Sequence, residues 1–173
     1  MTTGRVFWLF GYSGAGKTTL AGGLAADLRA AGRHVLVLDG DDLRAGLCQN
    51  LGFSEEGRAE NVRRAAELAK LASDQGAVVI AALITPTEHL RQLATRIIGR
   101  DRLDLVWVDV PLAVCQQRDA KGLYRRAAAG SVALLTGVGA PFEAAASCDL
   151  KLRVDSQDVM LASLQDYVRR RLG

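Results

Sequence analysis

Gly11-Tyr12-Ser13-Gly14-Ala15-Gly16-Lys17-Thr18 sets glycines, a lysine and a hydroxyl at fixed spacing. The pattern is G-x-x-x-x-G-K-[ST], the phosphate-binding P-loop. Glycines let the backbone curl until successive N–H groups point into one concavity, and a helix starting there adds the positive end of its dipole. Lys17 would reach β- and γ-phosphates, and the Thr18 hydroxyl would sit on Mg²⁺. The candidate triphosphate ligands are therefore Gly11, Ser13, Gly14, Ala15, Gly16, Lys17, Thr18 and the following Thr19. The bland alternative is a Gly-rich turn with a chance lysine. The flanks argue against it: Val6–Phe10 is an apolar run of strand length, and Thr19–Ala31 places Leu20, Leu24 and Leu28 at helical spacing. The loop specifies a nucleoside triphosphate and leaves the acceptor open.

Further chemistry follows the next strand, in Asp39-Gly40-Asp41-Asp42-Leu43-Arg44. Phosphoryl transfer needs a carboxylate to orient the attacking hydroxyl or take its proton, and often another for the metal's water shell. Arg44 could hold an anionic part of the acceptor by paired hydrogen bonds. The competing reading is an Asx-type turn capping a short helix, with Asp42 the carboxylate best explained as only a cap. Phe53 then precedes Arg58, Asn61 and Arg64, which recur on one helix face and could stack a base and bind an anion. For Arg63 and Arg64 the preferred reading is intrahelical ion pairing on a solvated face. From Pro111 to Arg126 cations gather before a run of small residues, reading either as a lid closing over phosphates or as a basic surface helix.

These residues need a scaffold that brings the ends of several strands together. Strand and helix patterns alternate along the chain. Strands are expected at Val6–Phe10, His34–Asp39, Ala77–Ile84, Leu103–Val110 and Leu150–Val154. Ser54 can cap a helix running to about Asp74, Thr87 or Glu88 can open the next, and Ser156 can cap a closing helix with Val159, Leu164, Tyr167 and Val168 apolar. Its end, Arg169-Arg170-Arg171, reads as a solvated basic terminus. The expected class is α/β: a three-layer P-loop kinase fold with a mainly parallel five-stranded sheet and helices on both faces. In such sheets ligands bind beyond the carboxyl ends of the strands, where the unusual residues fall. The 173 residues suit a single domain spanning 1–173, with a lid at about 118–140 and an overlapping Gly/Ala-rich stretch from Ala127 to Ala146 expected to be mobile. A formal charge of +3 is too mild to argue for nucleic acid, and an anionic substrate explains it equally well. Three scattered cysteines, no signal-peptide pattern and no membrane-length apolar run point to a reduced, cytoplasmic setting.

Taken together, Gly11–Thr19, Asp39-Gly40-Asp41, Leu51-Gly52-Phe53-Ser54, Arg58 with Glu60-Asn61-Val62-Arg63-Arg64, Arg118-Asp119, Lys121-Gly122-Leu123-Tyr124 and Pro141-Phe142-Glu143 resemble the adenylylsulfate kinase (APS kinase) family from about Val6 to Leu152. The resemblance implies ATP-dependent phosphorylation of the 3′-hydroxyl of adenosine 5′-phosphosulfate (APS) in sulfate assimilation, with Mg²⁺ as cofactor and Lys17 and Asp41 as catalytic residues. It implies that Arg44, Arg58 and Asn61 grip the phosphosulfate and that Phe53 and Phe142 flank the substrate adenine. Ile84 and Thr85 would line the acceptor site, Lys121 and Leu123 would reach from the lid, and Arg118 would pack on the ATP base. It also implies a homodimer, with a fused or separate sulfurylase as candidate partner. The chain departs from the family pattern at Ile84-Thr85-Pro86-Thr87-Glu88, where Ile-Ser-Pro-Tyr-Arg is common, and at Ala128, where a cation is usual. A lost charge-assisted contact is worth about 1.5–3 kcal/mol. A related anionic nucleotide or sugar conjugate is thus the alternative acceptor, and a nucleotide-binding regulatory subunit the non-enzymatic alternative.

Overall fold

The computed structural model describes residues 4–119, 122–130 and 135–173. Five strands, Val6–Phe10 (β1), Val35–Asp39 (β2), Val78–Ala82 (β3), Leu103–Asp109 (β4) and Leu150–Arg153 (β5), form one sheet of order β2-β3-β1-β4-β5. Every pairing is parallel, so the sheet is wholly rather than mainly so. The central strand is apolar at each position and has no exposed residue. Its side chains alternate between two cores. Phe7 and Leu9 face Lys17–Ala30 (α1) and Gln157–Leu172 (α7). Val6, Trp8 and Phe10 face Glu55–Asp74 (α3) and Glu88–Ile98 (α4). Each large side chain so buried is worth about 1.5–3 kcal/mol, which fixes β1 and hence the loop that leaves it.

Several boundaries differ from the sequence reading for physical reasons. Helix α1 starts at Lys17 rather than Thr19, because Gly16 is itself the N-cap, at φ 98. Lys17 and Thr18 thus belong to the first helical turn, where backbone N–H groups lack intrahelical partners. Strand β2 is a sheet edge, so Val35, Leu36 and Val37 are only half-buried. Strand β3 ends at Ala82, before Thr85 turns to φ 43. In α7 the buried face is Met160, Leu164 and Val168, whereas Val159 is 50% exposed.

The basic end of α7 is paired rather than merely solvated. Arg169 binds Asp27 at 3.1 Å, and Arg170 binds Asp166 at 2.9 Å. Arg171 donates to the fully buried Asp104, which also accepts from Tyr167 and pairs with Arg5. This clasp joins the start of β4 to the closing helix at the end of the sheet remote from the P-loop.

Three short helices complete the described fold: Gly40–Ala45 (α2), Leu112–Arg118 (α5) and Leu123–Ala128 (α6). The last two lie in the stretch read as a lid. Asp119 joins them, accepting from the N–H groups of Tyr124 and Arg125.

Candidate active site

The P-loop leaves β1, the central strand, and its geometry is glycine-dependent. Gly11 has φ 151, and a Cβ there would lie 2.5 Å from the Val108 carbonyl oxygen. Its N–H donates to the Ile84 carbonyl at 3.2 Å, tying the loop's start to the segment after β3. Lys17 turns its ammonium back onto the loop, donating to the Gly11 and Tyr12 carbonyls at 2.9 and 2.7 Å. On the opposite side the Tyr124 hydroxyl of α6 donates to the Ser13 carbonyl at 2.8 Å. Burial raises the pKa of Tyr124, so this hydroxyl keeps its proton.

Asp39 has two tasks. One carboxylate oxygen accepts from the Asp41 N–H at 2.9 Å, capping α2, and the other accepts from the Thr18 hydroxyl at 2.7 Å. The cap of this cluster is therefore Asp39 rather than Asp42, which sits exposed in the first turn of α2. Thr18 Oγ1 and Asp39 Oδ2 are hard oxygens that fit a Mg²⁺ ion, which takes one or two protein ligands and keeps waters and phosphates. Among the described residues no group of three or more His, Cys, Asp or Glu could hold a metal, so such an ion would be shared with phosphate.

The acceptor residues come from α2, α3 and the segment between them. Arg44 donates to the Leu51 and Gly52 carbonyls and lies 4.3 Å over the Phe53 ring. Arg58 donates to the Phe53 carbonyl at 2.9 Å and to the Thr136 hydroxyl at 2.8 Å. Burial lowers the pKa of both guanidinium groups, and the charge of Arg44 lowers that of Arg58 further. Two partly desolvated cations beside one another favour an anion between them. Asn61 is buried, and its Oδ1 has no hydrogen-bond partner among the described residues. Arg63 and Arg64 instead share Glu60, at 2.7 and 2.8 Å, as intrahelical pairs.

One cleft of about 590 Å³ gathers these groups. Ser13, Gly14, Gly16, Lys17, Thr18 and Thr19 line it from the P-loop and the start of α1; Asp41, Arg44, Phe53, Arg58, Asn61, Ile84 and Thr85 from α2, α3 and the segments before α3 and after β3; Arg118 and Leu123 from α5 and α6. Ala15 is fully buried beneath the loop. Phe142 lies outside the lining set, 4.5 Å from the Tyr12 ring and 6.5 Å from Trp107. Lys121 lies outside the described residues. Thr85 is buried, its hydroxyl accepting from Trp8 Nε1 at 2.9 Å and its carbonyl from Arg91 at 3.2 Å. Glu88, at the position where the resemblance leads one to expect a cation, pairs with the fully buried Arg91 at 3.1 Å. The Glu143 carboxylate accepts from the Glu88 N–H at 2.7 Å, and the Glu143 carbonyl accepts from Arg91.

Asp39 as the partner of Thr18, Tyr124 as the hydroxyl on the P-loop and Gln157 as a lining residue are additions of the structure. The position of Asp39 at the carboxyl end of a strand was a signal for the first. Gln157 offered none, since a glutamine opening a helix is ordinary.

Residues 3–153 match the family described as Adenylylsulphate kinase. The adenylyl-sulfate kinase of Shewanella amazonensis is 44% identical over 167 residues, covering 95% of this chain and 84% of that protein. That of Paraburkholderia xenovorans is 49% identical over 156 residues, covering 90% and 87%. Among solved structures, the Mycobacterium tuberculosis APS kinase CysC in complex with AMPPNP and APS superposes with a TM-score of 0.93 at 36% identity, over 98% of this chain and 99% of that one.

Proposed function

The chain belongs to the adenylylsulfate kinase family, and we infer that it transfers the γ-phosphoryl group of ATP to the 3′-hydroxyl of APS, giving 3′-phosphoadenosine 5′-phosphosulfate and ADP. The observation that carries this reading is the single cleft in which Lys17 and Thr18 face Asp41, Arg44, Arg58 and Asn61. Lys17 exchanges the carbonyls of Gly11 and Tyr12 for the β- and γ-phosphates, and the P-loop amides spread over the developing charge. Asp41 orients the 3′-hydroxyl and takes its proton late in the transfer. Arg44 and Arg58 hold the phosphosulfate, and the buried Asn61 Oδ1 accepts from the acceptor nucleotide. Mg²⁺, held by Thr18 with Asp39 beside it, would supply charge neutralisation across the transferred phosphoryl group.

The altered Thr87-Glu88 segment supports tolerated variation rather than a different acceptor, because Glu88 is occupied in holding Arg91 behind Thr85. The deciding experiment is a steady-state assay with Mg-ATP and APS, with ADP release and product identification. Phosphate on the 3′-oxygen is the expected result. Folded, ATP-binding protein that leaves APS untouched would overturn the reading and restore another anionic acceptor. We further propose a homodimer, to be checked by light scattering, and a sulfurylase as the enzyme class supplying APS. Three free cysteines accord with a reducing cytoplasm.

A further inference from the structure

The P-loop carries one large side chain that phosphate binding does not call for. Tyr12 gives its carbonyl to the loop, accepting from Lys17 at 2.7 Å. Its ring belongs to another contact. The ring centroid lies 4.5 Å from that of Phe142, which Trp107 of β4 backs at 6.5 Å. The same ring meets Gly137, where a Cβ would stand 3.0 Å from Tyr12 Cε1 and 2.8 Å from Leu112 Cδ1. Gly137 also has φ 91, so space and backbone both call for glycine there. Residues 135–140 form a tight turn. The N–H groups of Val138, Gly139 and Ala140 all donate to the Leu135 carbonyl, and the Gly137 N–H donates to the Ala140 carbonyl at 2.7 Å. Within this turn the fully buried Thr136 supplies the hydroxyl that accepts from Arg58 at 2.8 Å. Leu135 and Thr136 both line the cleft. One ring on the donor's loop thus carries the turn that holds an acceptor cation. An arginine held in place beforehand loses less side-chain freedom on meeting its anion.

We propose that Tyr12 is a positioning residue for the acceptor: its ring seats the 135–140 turn, and the Thr136 hydroxyl of that turn aims Arg58 at the phosphosulfate. The aiming rests on the kinase reading, which makes APS the anion that Arg58 meets. The seating of the turn does not depend on it.

Three measurements test this: calorimetry of Mg-ATP alone, calorimetry of APS added to protein saturated with Mg-ADP, and amide hydrogen exchange of the substrate-free protein. Tyr12→Ala should weaken APS by about tenfold, the scale of one lost charge-assisted hydrogen bond, and change Mg-ATP by less than about threefold. Exchange should quicken at the amides of Gly137, Val138, Gly139 and Ala140. Tyr12→Phe keeps the ring and should match the wild type in all three. Thr136→Val should weaken APS to a similar degree, and adding Tyr12→Ala to it should weaken APS little further, because both act through one contact. Should Tyr12→Ala fail to fold, Gly137→Ala, which crowds the turn off the ring from the other side, replaces it in every measurement. Equal weakening of the two ligands, unchanged exchange in the turn, or additive effects of the two substitutions would each overturn the proposal. Wild-type protein that ignores APS would refute the kinase reading together with the aiming, whereas any of those three results in a protein that binds APS refutes the proposal alone.

Discussion

Thr85 holds a β-branched side chain at φ 43, a backbone conformation such residues rarely adopt. Trp8 and Arg91 keep it there by bonding its hydroxyl and its carbonyl. Thr85→Ala should lower stability by about 1–3 kcal/mol, because the buried indole N–H loses its acceptor. Thr85→Ser should be nearly neutral, since it keeps the hydroxyl and sheds the branch; denaturant titration distinguishes the two. At the chemical centre, Asp41→Ala should reduce turnover by about 10²–10⁴-fold while Mg-ATP affinity stays within a few-fold. Loss of nucleotide binding instead would make Asp41 chiefly a metal-site residue. Lys17→Ala should damage both binding and turnover. The carboxylate cluster was visible in the sequence, but the division of labour within it was not. Which aspartate meets Thr18 depends on β2 standing two places from β1 in the sheet, with β3 between, and nothing local encodes that distance.

Helix α3 carries Arg58 and Asn61 on the cleft side and the Glu60 pairs on its outer side. Hydrogen bonds from Arg63 and Arg64 hold the Glu60 carboxyl at about 2, below its ordinary 4.5. The folded value is depressed, so the contribution is complete above pH 4.5 and is lost as the pH falls toward 2. Both arginines are solvent-accessible, so the effect stays below about 1 kcal/mol. The stability difference between wild type and Glu60→Gln should therefore be measurable at about pH 6 and shrink at about pH 3. Helix α6 reaches the P-loop through Tyr124, and Tyr124→Phe should raise the KM for ATP more than it lowers kcat. An unchanged KM would mean that the hydroxyl does not support the loop. Elements such as β1, α3 and α4 were legible because an apolar period or a capping Ser54 or Thr87 marks each within a few residues. The α5–α6 pair was read only as a basic, lid-like stretch, because its anchors, Cys115 and Tyr124 in the core and the Tyr124 hydroxyl on the Ser13 carbonyl, are contacts to residues distant in sequence.

Across the whole molecule, the Asp104 clasp and the cleft occupy opposite ends of the sheet. Asp104→Ala would leave Arg5 and Arg171 without their buried partner and should cost about 3 kcal/mol, with the KM for either substrate unchanged. A shifted KM would show that α7 transmits strain from the clasp to Gln157. The parallel class was readable from alternating strand and helix patterns, whereas the strand order was not, since parallel partners meet only through long crossovers. That order has a consequence in time. Strand β1 is made first, yet its two neighbours are β3, pairing Val6 with Val79, and β4, pairing Val6 with Leu103. The next strand synthesised, β2, does not touch it. A growing chain therefore carries Val6-Phe7-Trp8-Leu9-Phe10, fully buried in the finished core, unpaired until the distant Val78–Ala82 strand has been made. Folding of this topology is slow and exposed to aggregation while that strand waits. Refolding yield should fall steeply with protein concentration, and a chain truncated before β4 should depend on chaperones to stay in solution.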